Sequence, residues 1–430
     1  MMSEMINVFW FRRDLRLEDN HALFRACSEP LPVLAIFIFD TEILKEFDNP
    51  LDKRITFIYN TLHKVNTCLK KHGSALMLKH GKPVEVFSQL LSDYPIQDVF
   101  CNHDYEPYSE KRDQEVRTLL HEHGANLKTF KDHVIFEKDE ILTTEQNPYT
   151  VFTPYMKKWK NQYSLRSHEI YPSEKLLHKT IDAGHFIPEL ESLGYKLVKF
   201  SFPSSEIPEE IVKNYHQTRN FPAIEGTSKL GLHLRFGTIS IRKTVARAFH
   251  LNEVWLNELI WREFFMQLLW HFPHVENESF RKRYQFIEWR NNEEDFLLWC
   301  RGETGFSIVD AGMKELLETG HMHNRVRMIV ANFLTKLLLI DWRWGERFFA
   351  DHLLDYELSS NNGNWQWSAG TGADAAPYFR IFNPAEQIRK FDPHMKYVRK
   401  WINPDGETYP KPMVDYTFAR KRCLELYKQY

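Results

Sequence analysis

The sequence has 430 residues, of which 43% are hydrophobic and 27% are charged, with a formal net charge of −2. This balance is typical of a globular protein and excludes a disordered, collagen-like or low-complexity chain. No apolar run reaches the roughly 18 residues of a membrane span, and the N-terminus has no signal-peptide pattern, so we expect a cytoplasmic protein. The five cysteines lie far apart, which argues against a disulfide framework and against a zinc site.

Two further features of the composition concern ligands. Aromatic residues make up 14% of the chain, with 12 Trp and 32 Phe, which indicates either a large core or flat surfaces for a planar ligand. Residues 376–430 contain 11 Lys and Arg against 6 Asp and Glu, a local charge of +5, so the rest of the chain carries −7. Local phosphate binding and a solvated charged tail both remain open.

The first part of the chain alternates strand and helix patterns. Buried-strand patterns lie at 7–11, 33–40, 75–81 and 98–104, and helical patterns at 55–73, 83–91 and 108–124. This alternation predicts an α/β domain in residues 1–132 with a doubly wound parallel sheet. Ligands are expected beyond the carboxyl ends of its strands.

The pattern changes twice in the rest of the chain. Prolines interrupt residues 133–208, which predicts an interdomain linker with short helices. From residue 209 to residue 430 the apolar spacing is helical, most clearly at 253–270 and 322–342. We therefore expect an all-α second domain over residues 209–430.

Three motifs carry possible chemistry. In GTSKLGLHLRFG, Thr227 and Ser228 can cap a helix, and the N–H groups after them could cradle a diphosphate. NNGNWQW is a poor helix interior and predicts a loop that could present aromatic faces and amides to a planar ligand. In ELIWREFF, Glu258 and Arg262 share a helix face, which on its own indicates a surface i,i+4 ion pair. No metal site is expected, because the two histidines of HMHNR have no third ligand.

Taken together, these segments resemble the photolyase/cryptochrome family, most closely the class-I cyclobutane pyrimidine dimer photolyases. The resemblance covers nearly the whole chain, from FWFRRDLRLEDNHAL through VFTPYMKKW, GTSKLG and ELIWREFF to HNRVRM, LLIDWRWGERFF and NNGNWQWSAGTGADAAPYFRIFNP. It implies an N-terminal α/β domain and a helical C-terminal domain that binds FAD.

The resemblance also implies which residues bind FAD. Asn361 matches the amide that faces flavin N5, and Arg327 and Asp355 match an ion pair beside the ring. Glu357 and Gly231 depart from the usual Asp and Ser of the family. The matched FAD positions are Tyr215, Thr227, Ser228, Lys229, Leu230, Gly231, Trp255, Asn324, Arg327, Asp355, Tyr356, Glu357 and Asn361.

A second matched set concerns electron transfer. Trp365, Trp342 and Trp289 match the family's chain of tryptophans, which carries an electron from solvent to photoexcited flavin. From the residues alone, three tryptophans would be assigned to the core.

A third matched set concerns DNA. The dimer would flip out of the duplex to reach the flavin, and light-driven electron transfer from reduced FAD would split it. Glu258 matches the carboxyl that hydrogen-bonds the dimer, and we include it with Asn361 and the three tryptophans among the catalytic residues. The matched DNA positions are Arg219, Glu258, Trp261, Arg262, Asn324, Arg325, Met328, Trp367 and Arg380.

The antenna chromophore and the exact branch of the family stay open. Tyr108 and Ser109 stand where the folate-binding branch has Asn-Glu, and Val275 and Glu276 stand near its Cys-Lys pair. Folate is therefore not expected, and a deazaflavin, an FMN or an empty pocket remain. A cryptochrome-type photoreceptor is the main alternative and a six-four photolyase a lesser one. We expect a monomer of bacterial type that acts on UV-damaged DNA and is associated with the nucleoid, without a membrane partner.

Overall fold

The structure is a computed structural model that describes residues 4–165, 169–184 and 187–430. The chain divides into two compact units, named here by their content. The α/β unit comprises Met1–Glu137, Gln162–Glu206 and Lys229–Arg247, and the helical unit comprises Lys138–Asn161, Ile207–Ser228 and Ala248–Tyr430.

The domain boundaries expected from the sequence, at residues 132 and 208, stay predictions. Residues 1–3 of the first expected domain lie outside the described residues. The same holds for residues 166–168 and 185–186 of the expected linker.

The α/β unit contains a five-stranded parallel sheet in the order β3-β2-β1-β4-β5, which confirms the expected doubly wound arrangement. Every residue of the two central strands β1 and β2 is buried, as in a sheet that is covered on both faces. The fifth strand was not predicted, because it is a short edge strand with one buried residue and no apolar run. The strands are β1 Ile6–Phe11, β2 Val33–Asp40, β3 Met77–Gly81, β4 Ile96–Asn102 and β5 Asn126–Phe130.

Five helices lie between these strands in the sequence: α1 His21–Ser28, α2 Thr41–Leu44, α3 Lys53–Lys70, α4 Pro83–Asp93 and α5 Pro107–Glu122. Asn20 and Asp52 cap α1 and α3 with side-chain oxygens that accept backbone N–H groups. Helices α4 and α5 begin at prolines, whose fixed φ suits the first helical position. The local sequence thus sets where these helices start.

The remaining α-helices are α6 Phe152–Leu165, α7 Glu209–Lys213, α8 Tyr215–Thr218, α9 Gly231–Arg235, α10 Ile241–Leu251, α11 Glu253–His271, α12 Glu293–Arg301, α13 Ser307–Thr319, α14 Asn324–Asn332, α15 Trp342–His352, α16 Leu358–Ala369, α17 Pro384–Phe391, α18 Lys396–Trp401 and α19 Tyr416–Tyr427. Short 3-10 helices are Lys138–Glu140, Ser173–Lys175, Leu177–Lys179, Leu190–Leu193, Pro273–Glu276 and Lys282–Tyr284, and Phe333–Leu338 is π-helical. In the described part of the helical unit there is no sheet strand, which confirms the expected all-α architecture.

The core of the helical unit surrounds the π-helical segment and contains Leu334, Trp342 and Trp365. Lys336 lies in that segment and is fully buried, with its Nζ 2.7 Å from the carbonyl oxygen of Ala369. Burial lowers the pKa of Lys336 to about 7. Searched over the described residues, no helix combines the length and the apolar character that crossing a bilayer needs.

Candidate functional site

Eleven of the predicted site residues lie on three helices of the helical unit, α11, α14 and α16. Helix α16 packs against both α11 and α14. A Cβ atom at Gly363 of α16 would lie 2.2 Å from the ring of Phe265 on α11, so only glycine permits this close approach. The predicted residues of the three helices therefore lie in one region of the unit.

The loop expected for NNGNWQW is wrong, because residues 361–367 lie inside α16. Two of the amide side chains that disfavour a helix, those of Asn362 and Gln366, are buried and donate hydrogen bonds to carbonyl groups elsewhere. Asn362 Nδ2 and Gln366 Nε2 lie 2.9 Å and 3.0 Å from the carbonyl oxygen of Val275. Trp365 and Trp367 still point in different directions, because residues two apart are about 200° apart around a helix.

Two of the predicted aromatic side chains line one cavity. The cavity lies between α11 and α16, and its lining includes Trp261 and Trp367. Trp261 stacks on Phe152 with ring centroids 3.6 Å apart, and the guanidinium carbon of Arg380 lies 5.4 Å from the ring of Trp367. The described residues that line this cavity do not include Glu258, Asn324 or Met328. Met328 lies half-buried on α14.

The i,i+4 ion pair expected between Glu258 and Arg262 is wrong. Glu258 Oε1 instead pairs with Arg219 Nη1, which comes from the segment after α8. Arg262 Nε lies 3.0 Å from Oε2 of buried Glu357. Tertiary partners thus replace the local pair, and Glu258 and Arg262 point to different parts of the site.

Asn324 and Arg325 contain polar atoms that remain unsatisfied. Asn324 Nδ2 donates to the carbonyl of Arg219 at 3.0 Å, and Arg325 Nη2 donates to Asn220 Oδ1 at 2.7 Å. Asn324 Oδ1 and Arg325 Nε are buried and have no hydrogen-bond partner among the residues described. Burial and the charges of Arg219 and Arg380 lower the pKa of Arg325. Unsatisfied buried groups and clustered cations indicate a place for an anionic or polar ligand.

The ion pair expected between Arg327 and Asp355 is present. Arg327 Nη2 lies 3.0 Å from Asp355 Oδ2, and Arg327 Nε donates to the carbonyl of Met322 at 2.7 Å. Burial alone would raise the pKa of Asp355. The charges of Arg327 and His321 outweigh burial and hold that pKa below its ordinary value, so the carboxylate stays ionised.

Asn361 is fixed by a carboxyl group that sequence reasoning missed. Its Nδ2 donates to Glu346 Oε1 at 2.8 Å and to the backbone carbonyl of Glu346 at 3.0 Å. Burial raises the pKa of Glu346 to about 7. Because the NH₂ group of Asn361 is committed to Glu346, its carbonyl oxygen is the group left to accept a hydrogen bond from a ligand.

The three predicted tryptophans share one cluster and differ in burial. Trp365 and Trp342 are 2% and 1% exposed, and Trp289 packs half-buried at the edge of the cluster. A Cβ atom at Gly345 would lie 2.2 Å from the ring of Trp365, so glycine makes room for that ring. Of the three, only Trp289 is partly exposed, as the solvent end of the expected electron path would require.

The GTSKLG segment forms a turn before a short helix. The expected caps Thr227 and Ser228 are wrong, because α9 begins at Gly231 and Leu230 occupies its cap position without a side-chain bond. Lys229 has a positive φ of 52°, which turns the chain there. Thr227 and Ser228 belong to the helical unit, and Lys229–Gly231 belong to the α/β unit.

The other predicted FAD residues are aromatic. Tyr215 and Trp255 are buried, at the start of α8 and in the first turn of α11. Tyr356 packs against the edge of the core. Their rings are apolar surface, whereas the predicted hydrogen-bonding groups lie on α14, on α16 and, for Asp355, in the segment just before α16.

Three partners were not identified from the sequence: Glu346, Phe152 and Asn220. Each contacts a predicted residue that lies at least 15 positions away, so helical spacing carries no signal for it. Of the three, only Phe152 had a signal in the sequence, because it lies within VFTPYMKKW, one of the segments that carry the resemblance. A search of the described residues finds no group of three or more His, Cys, Asp and Glu that could hold a metal ion.

Comparison with known proteins identifies the family of this chain. The family model described as DNA photolyase matches residues 7–174, and the model described as the FAD binding domain of DNA photolyase matches residues 255–405. A deoxyribodipyrimidine photo-lyase from Synechococcus is 35% identical over 98% of this chain and 96% of its own length. The chain belongs to the DNA photolyase family.

Two solved structures are similar over almost the whole chain. An archaeal photolyase from Sulfolobus tokodaii, whose structure contains two FAD molecules, has 33% identity and a TM-score of 0.84, covering 99% of this chain and 100% of its own. A cryptochrome from Synechocystis has a TM-score of 0.86 and 24% identity, covering 99% of this chain and 100% of its own. At that identity the cryptochrome shows only the shared fold.

Proposed function

We infer that this protein is a lyase that uses light to split cyclobutane pyrimidine dimers in DNA, with FAD as its cofactor. The observation that carries the proposal is the arrangement around α16. On this helix, Asn361 is held by Glu346, while Trp367 faces a cavity that it shares with Trp261. The ion pair between Arg327 of α14 and Asp355, which lies just before α16, completes the polar side of the same region.

The residues present suit a flavin. The carbonyl oxygen of Asn361 can accept a hydrogen bond from a flavin N–H, and Glu346 keeps the amide in that orientation. The ionised Asp355 and its partner Arg327 can bind the polar edge of the ring. When bound, FAD supplies a light-excitable electron donor for ring splitting and takes the electron back. We propose that Tyr215, Trp255 and the residues from Thr227 to Gly231 also contribute to binding.

We propose that DNA is held by cations and the flipped dimer by aromatic walls. Arg219, Arg325 and Arg380 would contact phosphates, which fixes the duplex without reading its sequence. Trp261 and Trp367 offer flat surfaces on which the flipped bases can stack. Arg262 is already paired with Glu357, so we assign it to support of the site as well as to the DNA face.

The direct test is repair by the purified protein with FAD bound. A dimer-containing oligonucleotide is incubated under blue light, and an identical sample is kept in the dark. We expect loss of dimers only in the light. Equal dimer content in both samples would overturn the proposed function.

A variant of the tryptophan chain separates activation from repair. Trp365→Phe should block photoreduction of oxidised flavin, while enzyme reduced chemically beforehand repairs nearly normally. Trp299→Phe is a matched control, because Trp299 is buried and its ring centroid lies 6.1 Å from that of Trp365, outside the proposed chain. A parallel loss of repair in pre-reduced Trp365→Phe would contradict this role.

We also propose that the enzyme acts as a monomer in the cytoplasm, bound to the nucleoid through its DNA substrate. Size-exclusion chromatography at assay concentration tests the monomer. For the antenna, the Tyr108 hydroxyl donates to Asp40 at 2.7 Å and Ser109 is buried. This supports the proposal that folate does not bind at these positions.

A further inference from the structure

Arg219 and Glu258 neutralise each other in the protein without DNA. The guanidinium of Arg219 and the carboxyl of Glu258 form an ion pair between the end of α8 and the middle of α11. Their side chains are 26% and 34% exposed, so the pair is largely buried but still reaches solvent.

The two partners have different tasks in the proposed function, on which this inference rests. Arg219 is assigned to a DNA phosphate and Glu258 to the base edges of the dimer. While Arg219 holds Glu258, it cannot use the same N–H groups on a phosphate. An ionised Glu258 is only an acceptor and would repel the carbonyl oxygens of the dimer.

The surroundings of Arg219 hold its backbone and leave its side chain partly exposed. Its backbone is tied by Asn324, whose Nδ2 donates to the Arg219 carbonyl at 3.0 Å. The guanidinium carbon lies 5.4 Å from the ring of Tyr215, a contact that a planar cation can keep while it turns. The charges of Arg219 and Arg380 both act on Arg325, so the three cations are close enough to attract one stretch of phosphates.

We propose that DNA binding exchanges the partner of Arg219: the guanidinium leaves Glu258 for a phosphate, and Glu258 takes up one proton from solvent to become a hydrogen-bond donor to the dimer. No bond other than this O–H bond forms, and no electron is transferred. Arg219 is thus a positioning residue, because its contact with the DNA backbone determines the charge of Glu258.

The direction of the proton follows from the neighbours of Glu258. Burial already raises the pKa of Glu258, and the charge and hydrogen bond of Arg219 oppose that increase. Arg219 and Tyr215 are the charged and titratable groups that face Glu258 within the described residues. Removing the cation leaves burial unopposed, and the bases of the dimer exclude further water, so the protonated form is favoured.

Proton uptake on binding tests the exchange. The FAD-bound protein is titrated with dimer-containing DNA in the dark by calorimetry, at one pH, in buffers with different ionisation enthalpies. We expect uptake approaching one proton, and affinity that falls by up to about tenfold for each pH unit where the free form of Glu258 is ionised. Glu258→Gln should abolish the uptake.

Two arginine variants sharpen the assignment. In Arg219→Gln, Glu258 has already lost its counter-ion, so uptake should fall. Arg325→Gln should weaken binding yet leave uptake unchanged, because Arg325 has Asn220 rather than Glu258 as its partner. Absence of uptake in the unmodified protein, or uptake that persists in Glu258→Gln, would overturn the inference. Light-dependent splitting by the same sample shows separately whether the proposed function holds.

Discussion

Two regions of the molecule differ: ion pairs of the α/β unit close around buried carboxylates, whereas the predicted site in the helical unit keeps buried polar atoms without a partner among the described residues. In the α/β unit, Asp132 is fully buried and receives Arg16 at 2.7 Å and Arg242 at 2.8 Å. Arg12 and Asp113 form a similar closed pair beside the end of β1. In the helical unit, Asn324 Oδ1, Arg325 Nε and Ser359 Oγ are buried without a partner in the described part of the chain. Buried polar groups that are all paired stabilise a fold, whereas buried polar groups without a partner are available to bind a ligand.

The largest expected effect comes from breaking a closed network. Asp132→Ala leaves the guanidinium groups of Arg16 and Arg242 without their shared carboxylate in a buried place. We expect a stability loss of about 3–5 kcal/mol, measured as a lower midpoint of urea unfolding. Lys45→Ala removes an exposed pair with Glu42 and is the control, with no expected change. A similar midpoint for both variants would show that burial does not make the Asp132 network important.

The open site should respond in function rather than in stability. Glu258→Ala removes the carboxyl group assigned to hydrogen-bond the dimer, so dimer splitting per absorbed photon should fall by roughly tenfold to a hundredfold. FAD content and flavin photoreduction should stay normal, because neither depends on the substrate carboxyl. The measurement is repair yield at saturating DNA beside the flavin spectrum of the same sample. An unchanged yield would remove Glu258 from the substrate site.

Removing the charge of Glu346 should change the stability of the protein in the direction opposite to removing that of Asp132. Its pKa rises from 4.5 to about 7 in the folded protein, so the folded state binds more protons than the unfolded state between these values. Its contribution to stability is therefore complete below pH 4.5 and is lost as the pH rises to about 7. Glu346→Gln keeps the bond to Asn361 and removes the charge.

We expect Glu346→Gln to be more stable than the unmodified protein by about 1–3 kcal/mol at pH 8, with no difference below pH 4.5. Urea unfolding of the FAD-bound protein across this pH range measures it. Glu110→Gln, at an exposed position of α5, is the matched control and should change nothing. Equal stability of Glu346→Gln and the unmodified protein at pH 8 would mean that Glu346 is ionised without cost.

The same contrast explains how many of the strands and helices of each unit could be predicted from the sequence. The strands β1, β2, β3 and β4 were predicted because continuous apolar runs report burial directly. The edge strand β5 and the helix α16 were missed. In β5 most side chains are only partly buried, and in α16 distant carbonyl groups satisfy the amides that locally disfavour a helix.

Site residues were proposed by resemblance, but apart from the pair of Arg327 and Asp355 their partners were not. Local spacing paired Glu258 with Arg262, whereas the actual partner, Arg219, lies 39 residues away in the sequence. Glu346 and Asn361 are 15 residues apart on different helices. Spacing within a helix carries information only about neighbours one turn away, so long-range pairs need the fold.

The smallest expected effect concerns Arg325, one of the residues of the helical unit with an unsatisfied buried atom. Its guanidinium carbon lies 4.3 Å from the ring of Phe391, and only part of its hydrogen-bonding capacity is used by Asn220. Arg325→Ala should therefore weaken binding of dimer-containing DNA by about 1–2 kcal/mol, without loss of folding. If the lost contact is to phosphate, the slope of log affinity against log salt should shrink by about one unit, and binding to undamaged DNA should weaken equally. Arg301→Ala, which removes an exposed arginine paired with Glu303, is the matched control. It should leave the slope of log affinity against log salt unchanged for damaged and for undamaged DNA. A loss confined to damaged DNA, with the slope intact, would assign Arg325 to the dimer itself rather than to the backbone.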